Sequence, residues 1–275
     1  MVMNMYDHEY TKEVSLDYGM ASVSVDMPET HAHECHELYY LESGHRRYLI
    51  GSNIYDVSPG NVVLIPKHCL HRTTACGSKG HSRYVAYFSE PYLQDFVDTI
   101  GQESFDQLMQ GGCLLLPDAQ KQYIASLLRK MEQESASSIS YSRAALKLYV
   151  QEILLCLIRY GSPCGESLSG NAAKIQEVAH YICEHYGDDI TLAVAANMAC
   201  MEKTYFSRSF KEITGFGFRE YLTRIRLLAA KQLLQDTTLS ISEISSRCGF
   251  SSSNYFGDVF LRYIHTSPRE YRKNL

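Results

Sequence analysis

One layout occurs twice in this chain, and it restricts the possible folds more than any other feature. The stretches ITLAVAANMACMEKTYFSRSFKEITG (Ile190 to Gly215) and LSISEISSRCGFSSSNYFGDVFLRYIHTSP (Leu239 to Pro268) read alike. Each has a short helix rich in small residues, a tight turn, and a longer helix with a Tyr-Phe pair followed four residues later by Phe. Phe206, Phe210 and Ile213 mark the stripe that the first long helix buries, and Phe256, Phe260 and Tyr263 that of the second. Ser240 and Glu243 have the spacing of a capping box, and Gly249 stands where the turn needs a permissive residue. Between the units, Phe218, Tyr221, Leu222, Ile225, Leu228, Ala229 and Leu233 trace one connecting helix.

A small-residue helix bracing a second helix is the build of helix-turn-helix DNA binders, in which the second helix enters the major groove. Two such units joined by one rigid helix would read successive major grooves, about 34 Å apart, on one side of the duplex. The net charge of −5 over 275 residues argues against nucleic acid only until the chain is divided. From Asn171 onward there are 13 Lys and Arg against 11 Asp and Glu; the remainder carries 13 against 20. Seven basic and two acidic residues lie between Lys203 and Lys231, an electrostatic footprint for a polyanion or else a solvated helix face.

The exposed face of the first long helix offers Lys203, Thr204, Ser207, Arg208 and Lys211. Arg208 suits a bidentate guanine contact, worth about 1–3 kcal/mol of discrimination. On the second, Ser252, Ser253 and Asn254 lie at the helix start, where backbone N–H groups also meet phosphate; Asn254 could read adenine, and Asp258 follows on the same helix. For each of these residues a phosphate contact, or simple exposure, is the plainer alternative.

From Ile190 to Arg272 the sequence resembles the DNA-binding domain of the AraC/XylS family. The residues that carry the resemblance are Arg208, Phe210 and Lys211 with Gly215, the run RIRLLAAKQLL, Ile244 with Gly249 and Phe250, Tyr255 with Phe256, Phe260, and the terminal SPREYR. The chain departs from the family pattern at Asp258 and Leu261, where a basic residue is usual, at His265 in place of Gly, and at Ser245 in place of Ala. The second recognition helix is therefore less basic, which shifts the expected affinity toward the first.

The first hundred or so residues read instead as short strands rich in Val, Ile and Tyr: EVSLDYGMASVSVD, ELYYLES, HRRYLIGS, NIYDVSPG, NVVLIP and SRYVAYFS. Strands so closely spaced suggest a barrel or sandwich. Within them His31, His33, Glu37 and Gly44, then Gly60, Pro66 and His71, resemble the two cupin motifs, with His68 in place of a usual Gly; the same barrel serves as sensor in many AraC-type regulators. His31, His33, Glu37 and His71 could hold a divalent transition metal. The family resemblance implies instead a metal-free site for a small organic effector such as a sugar, for which Tyr39, Arg46 and Tyr48 supply rings and polar groups. All of these are equally suited to be plain strand positions.

Two amphipathic stretches follow, Tyr123, Ile124, Leu127, Leu128 and Met131, then Leu146, Tyr149, Val150, Ile153, Leu154, Leu157 and Ile158; they fit a dimer seam or an internal contact. The expected class is α+β multidomain: a cupin-like barrel over 1–116, a helical segment over 117–160, a linker over 161–173 and an all-α double helix-turn-helix domain over 174–275. Nine cysteines without a Cys-x-x-Cys pair, a polar N-terminus and no long apolar run point to reduced thiols in a cytoplasm and to no membrane span. No phosphate loop or catalytic motif is present. The expected function is a ligand-responsive regulator binding double-stranded DNA, an activator of a carbohydrate or other catabolic operon, with RNA polymerase and a second copy as partners. A cupin metalloenzyme with a helical appendage is the alternative, and a constitutive DNA binder with a vestigial barrel a third.

Overall fold

Strands of the N-terminal half bury both faces, and their period of two sorts the residues into two separate cores. The computed structural model describes residues 15–23, 35–76, 79–137, 139–164 and 168–274. In the first unit the strands are β1 (Ser15–Val23), β2 (His36–Ser43), β3 (Arg46–Ile50), β4 (Asn53–Val57), β5 (Val62–Ile65), β6 (His71–Ala75), β7 (Lys79–Phe88), β8 (Gly112–Leu115) and β9 (Ser162–Pro163). Its helices are α1 (Gln94–Ile100), α2 (Gln102–Leu108), α3 (Asp118–Ala136) and α4 (Ser142–Tyr160). The strands form a six-stranded sheet of order β1-β7-β2-β5-β8-β9 and a three-stranded sheet of order β4-β3-β6.

Antiparallel register places Leu38 opposite both Leu64 and Ala86, and Tyr39 opposite both Val63 and Val85. Side chains therefore split by parity. Leu38, Tyr40, Val62, Leu64, Tyr84, Ala86 and Phe88 pack against Ile124, Leu127, Leu128 and Met131 of α3 and Val150, Ile153, Leu154 and Leu157 of α4. Tyr39, Leu41, Val63, Ile65, Val85 and Cys113 face the smaller sheet and meet Tyr48, Ile50 and Val57. The expected sheet-rich half is present, but the two sheets remain separate, and no closed ring of strands forms among the described residues. The strands β6 and β8 and the helices α1 and α2 lay outside the sequence expectation. Tyr123 and Ile158, expected on buried stripes, are exposed edges of α3 and α4.

The second unit begins at Leu168 and is helical: α5 (Asn171–His185), α6 (Leu192–Met198), α7 (Lys203–Thr214), α8 (Phe218–Asp236), α9 (Ile241–Arg247), α10 (Ser253–Ile264) and α11 (Pro268–Lys273). Ser240 and Glu243 make the expected capping box at α9, and Ser267 with Glu270 makes another at α11. Phe206 and Phe210 are fully buried, as are Phe256 and Phe260. The buried stripe of α8 is Phe218, Tyr221, Leu222, Ile225, Leu227, Ala230 and Leu234. Leu228, Ala229 and Leu233, expected on it, are half-buried because the helix packs against both helix-turn-helix units and its covered face rotates along its length. Tyr263 is likewise half-buried, with the Arg224 guanidinium 4.9 Å from its ring centre.

The departures from the family pattern acquire physical content here. His265 ends α10 at φ 61, in the left-handed conformation that Gly215 adopts at φ 79 at the end of α7. A residue with a Cβ is strained there. The Ser245 side chain is buried and its hydroxyl has no hydrogen-bond partner among the described residues. Gly249 turns at φ 73, and a Cβ on it would stand 2.8 Å from the Gly187 carbonyl oxygen. Expected outcomes in denaturation of the full chain follow directly. His265→Gly and Ser245→Ala each raise stability by about 1 kcal/mol, while Phe256→Ala lowers it by about 3–5 kcal/mol.

Candidate ligand-binding and nucleic-acid surfaces

The inner faces of the two sheets carry polar side chains among the apolar ones. Glu37 shares its face with Tyr39, and register places Tyr48 opposite Thr73 and Ile50 opposite His71. Glu37, Tyr39, Arg46, Tyr48 and His71 are all buried, at 2% exposure or less. The His71 Nε2 lies 3.4 Å from Glu37 Oε2 across the gap between the sheets. Its Nδ1–H donates to the Cys69 carbonyl at 3.0 Å, which fixes the ring orientation. Arg46 donates from Nε to Thr73 Oγ1 at 3.1 Å. The rings of Tyr39 and Tyr48 meet edge to face with centres 4.9 Å apart.

Five of the seven predicted ligand residues thus lie on the buried inner faces of the two sheets, Glu37 and Tyr39 on one and Arg46, Tyr48 and His71 on the other; His31 and His33 lie outside the described residues. The four-donor metal set is for that reason represented only by Glu37 and His71. Among the described residues no group of three His, Cys, Asp or Glu side chains is placed to hold a metal ion.

The electrostatics of these faces depend also on His81 and Arg83 of β7. Parity along β7 puts His81 and Arg83 on the same side as Val85. Burial, and then the Arg46 and Arg83 charges, push the His81 imidazole down to about 4, so it is neutral near pH 7. Burial lifts the Tyr39 phenol well above its usual range, against the pull of Arg46 and Arg83. The Tyr39 hydroxyl is buried without a hydrogen-bond partner among the described residues. Burial also holds the Tyr48 phenol protonated. The period-two pattern of SRYVAYFS was the available signal for Arg83, once Val85 is known to face inward.

On the helical unit, α7 and α10 are the second helices of the two helix-turn-helix units. Lys203, Thr204, Arg208 and Lys211 are exposed on α7, and Ser207 is half-exposed. Ser252, Asn254 and Asp258 are exposed on α10 and its cap, and Ser253 is half-exposed. The N-terminus of α7 is already occupied: Glu202 accepts from the N–H groups of Thr204 at 2.7 Å and Tyr205 at 3.1 Å. The Tyr205 N–H and the donors beside it hold this carboxyl below its usual range. A carboxylate there opposes a phosphate, whereas the exposed cations Arg208 and Lys211 lie further along the helix.

The basic cluster between Lys203 and Lys231 divides by task. Arg226 donates to the carbonyls of Tyr186 and Asp188, both at 2.8 Å, and clamps the start of the unit to α8. Arg224 pairs with Glu220 at 3.3 Å, and Lys231 stands over the Tyr271 ring. Lys203, Arg208, Lys211 and Arg219 remain exposed. The predicted footprint is therefore smaller than the sequence count, because three of its seven cations serve the fold.

A model of the AraC-like ligand binding domain matches residues 24–152, and a model of a helix-turn-helix domain matches residues 195–274. The chain is similar to the HTH-type transcriptional activator RhaS of Enterobacter sp. (strain 638), at 26% identity over 260 residues, 90% of this chain and 87% of the relative. It is 26% identical over 276 residues to the protein of that name in Escherichia coli O127:H6, with 93% of each chain covered. Among solved structures it is similar to the DNA-binding domain of AdpA in complex with a target DNA, at 31% identity over 37% of this chain and 91% of that one, with a TM-score of 0.36. It is also similar to ToxT from Vibrio cholerae, at 15% identity over 96% of this chain and 99% of that one, with a TM-score of 0.37.

The two recognition helices differ in what they offer DNA, which is measurable. In titrations of the full chain against its operator, Arg208→Ala costs about 1–3 kcal/mol and relaxes the preference at one base pair. Lys211→Ala weakens all sequences alike and lowers the salt slope by about 1. An unchanged salt slope in Lys211→Ala would remove that side chain from the phosphate contacts.

Proposed function

The chain belongs to the AraC family of ligand-binding, helix-turn-helix transcription regulators, and from that membership we propose an activator governed by a small polyhydroxylated effector. Its matched domains are those of a regulator and not of an enzyme. One observation supports the effector reading above the rest: Glu37, Tyr39, Arg46, Tyr48 and His71 converge on the buried inner faces of the two sheets. Tyrosine rings stack on a sugar ring, and charged groups bind its hydroxyls. The Tyr39 hydroxyl supplies a buried donor for such a ligand. Arg46 and Arg83 extend the reading to sugar acids. The name of the RhaS relatives supports activation, and with it RNA polymerase as a partner in a cytoplasmic setting.

We place the DNA contacts on Lys203, Thr204, Ser207, Arg208 and Lys211 of α7, and on Ser252, Ser253, Asn254 and Asp258 at α10. The linker between sensor and DNA binder is shorter than the expected 161–173, because Ser162–Pro163 pair with β8 and α5 begins at Asn171. A second copy of the chain docks along α4, where Leu148 and Leu155 stand one heptad apart at 63% and 40% exposure and Tyr141 precedes the helix at 86%. Effector binding then changes which half-sites the dimer occupies together; a coupling of about 1–3 kcal/mol suffices.

The test is a thermal-shift panel of sugars, sugar acids and divalent metals on the full chain, with operator affinity measured with and without each hit. A saturating ligand at a hundred times Kd adds about 2.7 kcal/mol. A sugar or sugar acid is expected to raise Tm and change operator affinity about 5- to 150-fold, with both effects lost in Arg46→Ala. A shift with metal alone would replace the organic effector with a metal. A ligand that raises Tm and leaves operator affinity unchanged would sink the coupling. In sedimentation, Leu148→Glu is expected to be monomeric with an unaltered Tm response to ligand; a dimer would move the seam elsewhere.

A further inference from the structure

Apart from the candidate ligand residues, the first unit has a cavity of about 410 Å³ whose wall includes Tyr55, Gln107, Leu157, Cys113 and Cys164. It contains no charged side chain. The placement of its two thiols is specific. In the β8–β9 pair Leu114 lies opposite Pro163 and Leu115 opposite Ser162, so the next pair in the antiparallel register is Cys113 and Cys164. The Cys164 N–H donates to the Cys113 carbonyl at 2.8 Å. Directly opposed residues project from the same face of a sheet. In a hydrogen-bonded pair their Cα atoms stand about 5.5 Å apart, inside the range of about 4.4–6.8 Å that a disulfide requires. Cys113 is buried and Cys164 half-exposed.

We propose that Cys113 and Cys164 form a reversible oxidation site, which a hydroperoxide entering this cavity converts to a cross-strand disulfide. Cys164, the more accessible, attacks first. Its thiolate forms an S–O bond with one peroxide oxygen, the O–O bond breaks, and the alcohol (or water) leaves with a proton. The Cys113 thiolate then attacks the Cys164 sulfur; the S–S bond forms, the S–O bond breaks, and hydroxide leaves to become water. The two thiols give up two electrons and two protons, and the hydroperoxide is reduced to alcohol and water. A transient pair of this kind fits a compartment that otherwise keeps thiols reduced.

The consequence lies in β9. It is an edge strand of two residues, one of them Pro163, held to the sheet by few bonds. A frayable edge becomes a fixed one when its end is tied covalently to β8. Only residues 165–167 separate Cys164 from Leu168, where the DNA-binding unit begins, so the tie fixes the point from which the connection departs. The site is independent of the effector reading, since it shares none of the proposed ligand residues.

The experiment treats the reduced full chain with hydrogen peroxide or cumene hydroperoxide, alkylates the remaining thiols and maps peptides without reductant. A Cys113–Cys164 linked pair, two hydrogens lighter than the separate peptides and restored by dithiothreitol, is the expected result. Amide exchange at Ser162 and Cys164 should slow on the order of tenfold or more once the pair forms. In Cys113→Ala, dimedone should trap a sulfenic acid at Cys164. The proposal is overturned if Cys113 and Cys164 both stay alkylatable while exposed Cys200 oxidises, or if Cys164 joins Cys69 instead. Unchanged exchange at β9 after the pair forms would overturn the clamp. Wild-type mapping decides the pairing even if Cys113→Ala does not fold.

Discussion

Central strand β2 carries two loads on alternate residues, and the sensor unit depends on keeping them apart. Leu38 and Tyr40 hold α3 and α4 against the outer face, while Glu37 and Tyr39 look inward toward His71 and Tyr48. A slip of one residue in the pairing with β5 or β7 would exchange the two sets. It would bury Glu37 against the leucines of α3 and α4 and turn Leu38 toward the polar face. Burying an unpaired carboxylate is far more costly than losing one strand bond, so the apolar contacts with the helices fix the register that aims the polar residues. The helices from 118 to 160 thus position the candidate ligand site without contributing a side chain to it.

In the helical unit the same task falls to paired phenylalanines. Phe206 and Phe210 contact Phe218 of α8, and Phe256 and Phe260 extend the stack to Phe250 and Tyr271. These buried rings fix the rotation of α7 and α10 about their own axes and so decide which residues face outward. Two economies were relaxed nearby, a left-handed His265 and an unpartnered Ser245 hydroxyl. Both sit at the second helix-turn-helix unit, the one with fewer basic residues on its recognition helix. Among the described residues no contact compensates for either substitution.

Cations in this unit were not interchangeable. Arg226 spends its guanidinium on two carbonyls that end the loop after α5, and Arg272 does similar work on the carbonyls of Leu234 and Leu239. Both hold carbonyls that no helix satisfies, a role for which a planar multi-donor group is suited. Arg208 and Lys211, of the same residue types, point to solvent. Sequence distance from the Tyr-Phe pair does not separate the two roles; the packing of α8 does.

Much of the architecture was legible in the residues themselves. The doubled Tyr-Phe pattern fixed two short-helix, long-helix pairs and their buried phenylalanines, because a helix stripe repeats at intervals that local sequence shows directly. The capping box at Ser240 and Glu243 could be read for the same reason, its residues being neighbours along the chain, whereas the polar set from Glu37 to His71 was reached through the resemblance to the cupin motifs. The sequence by itself therefore determined which elements form and which of their faces are apolar. Only the tertiary structure decided that the strands stay in two sheets, that α8 buries Leu227, Ala230 and Leu234 instead of the neighbouring stripe, that His81 and Arg83 join the inner face, and that Cys113 meets Cys164. Each of these depends on which distant strand or helix lies alongside, and long-range pairing leaves no local periodicity to read.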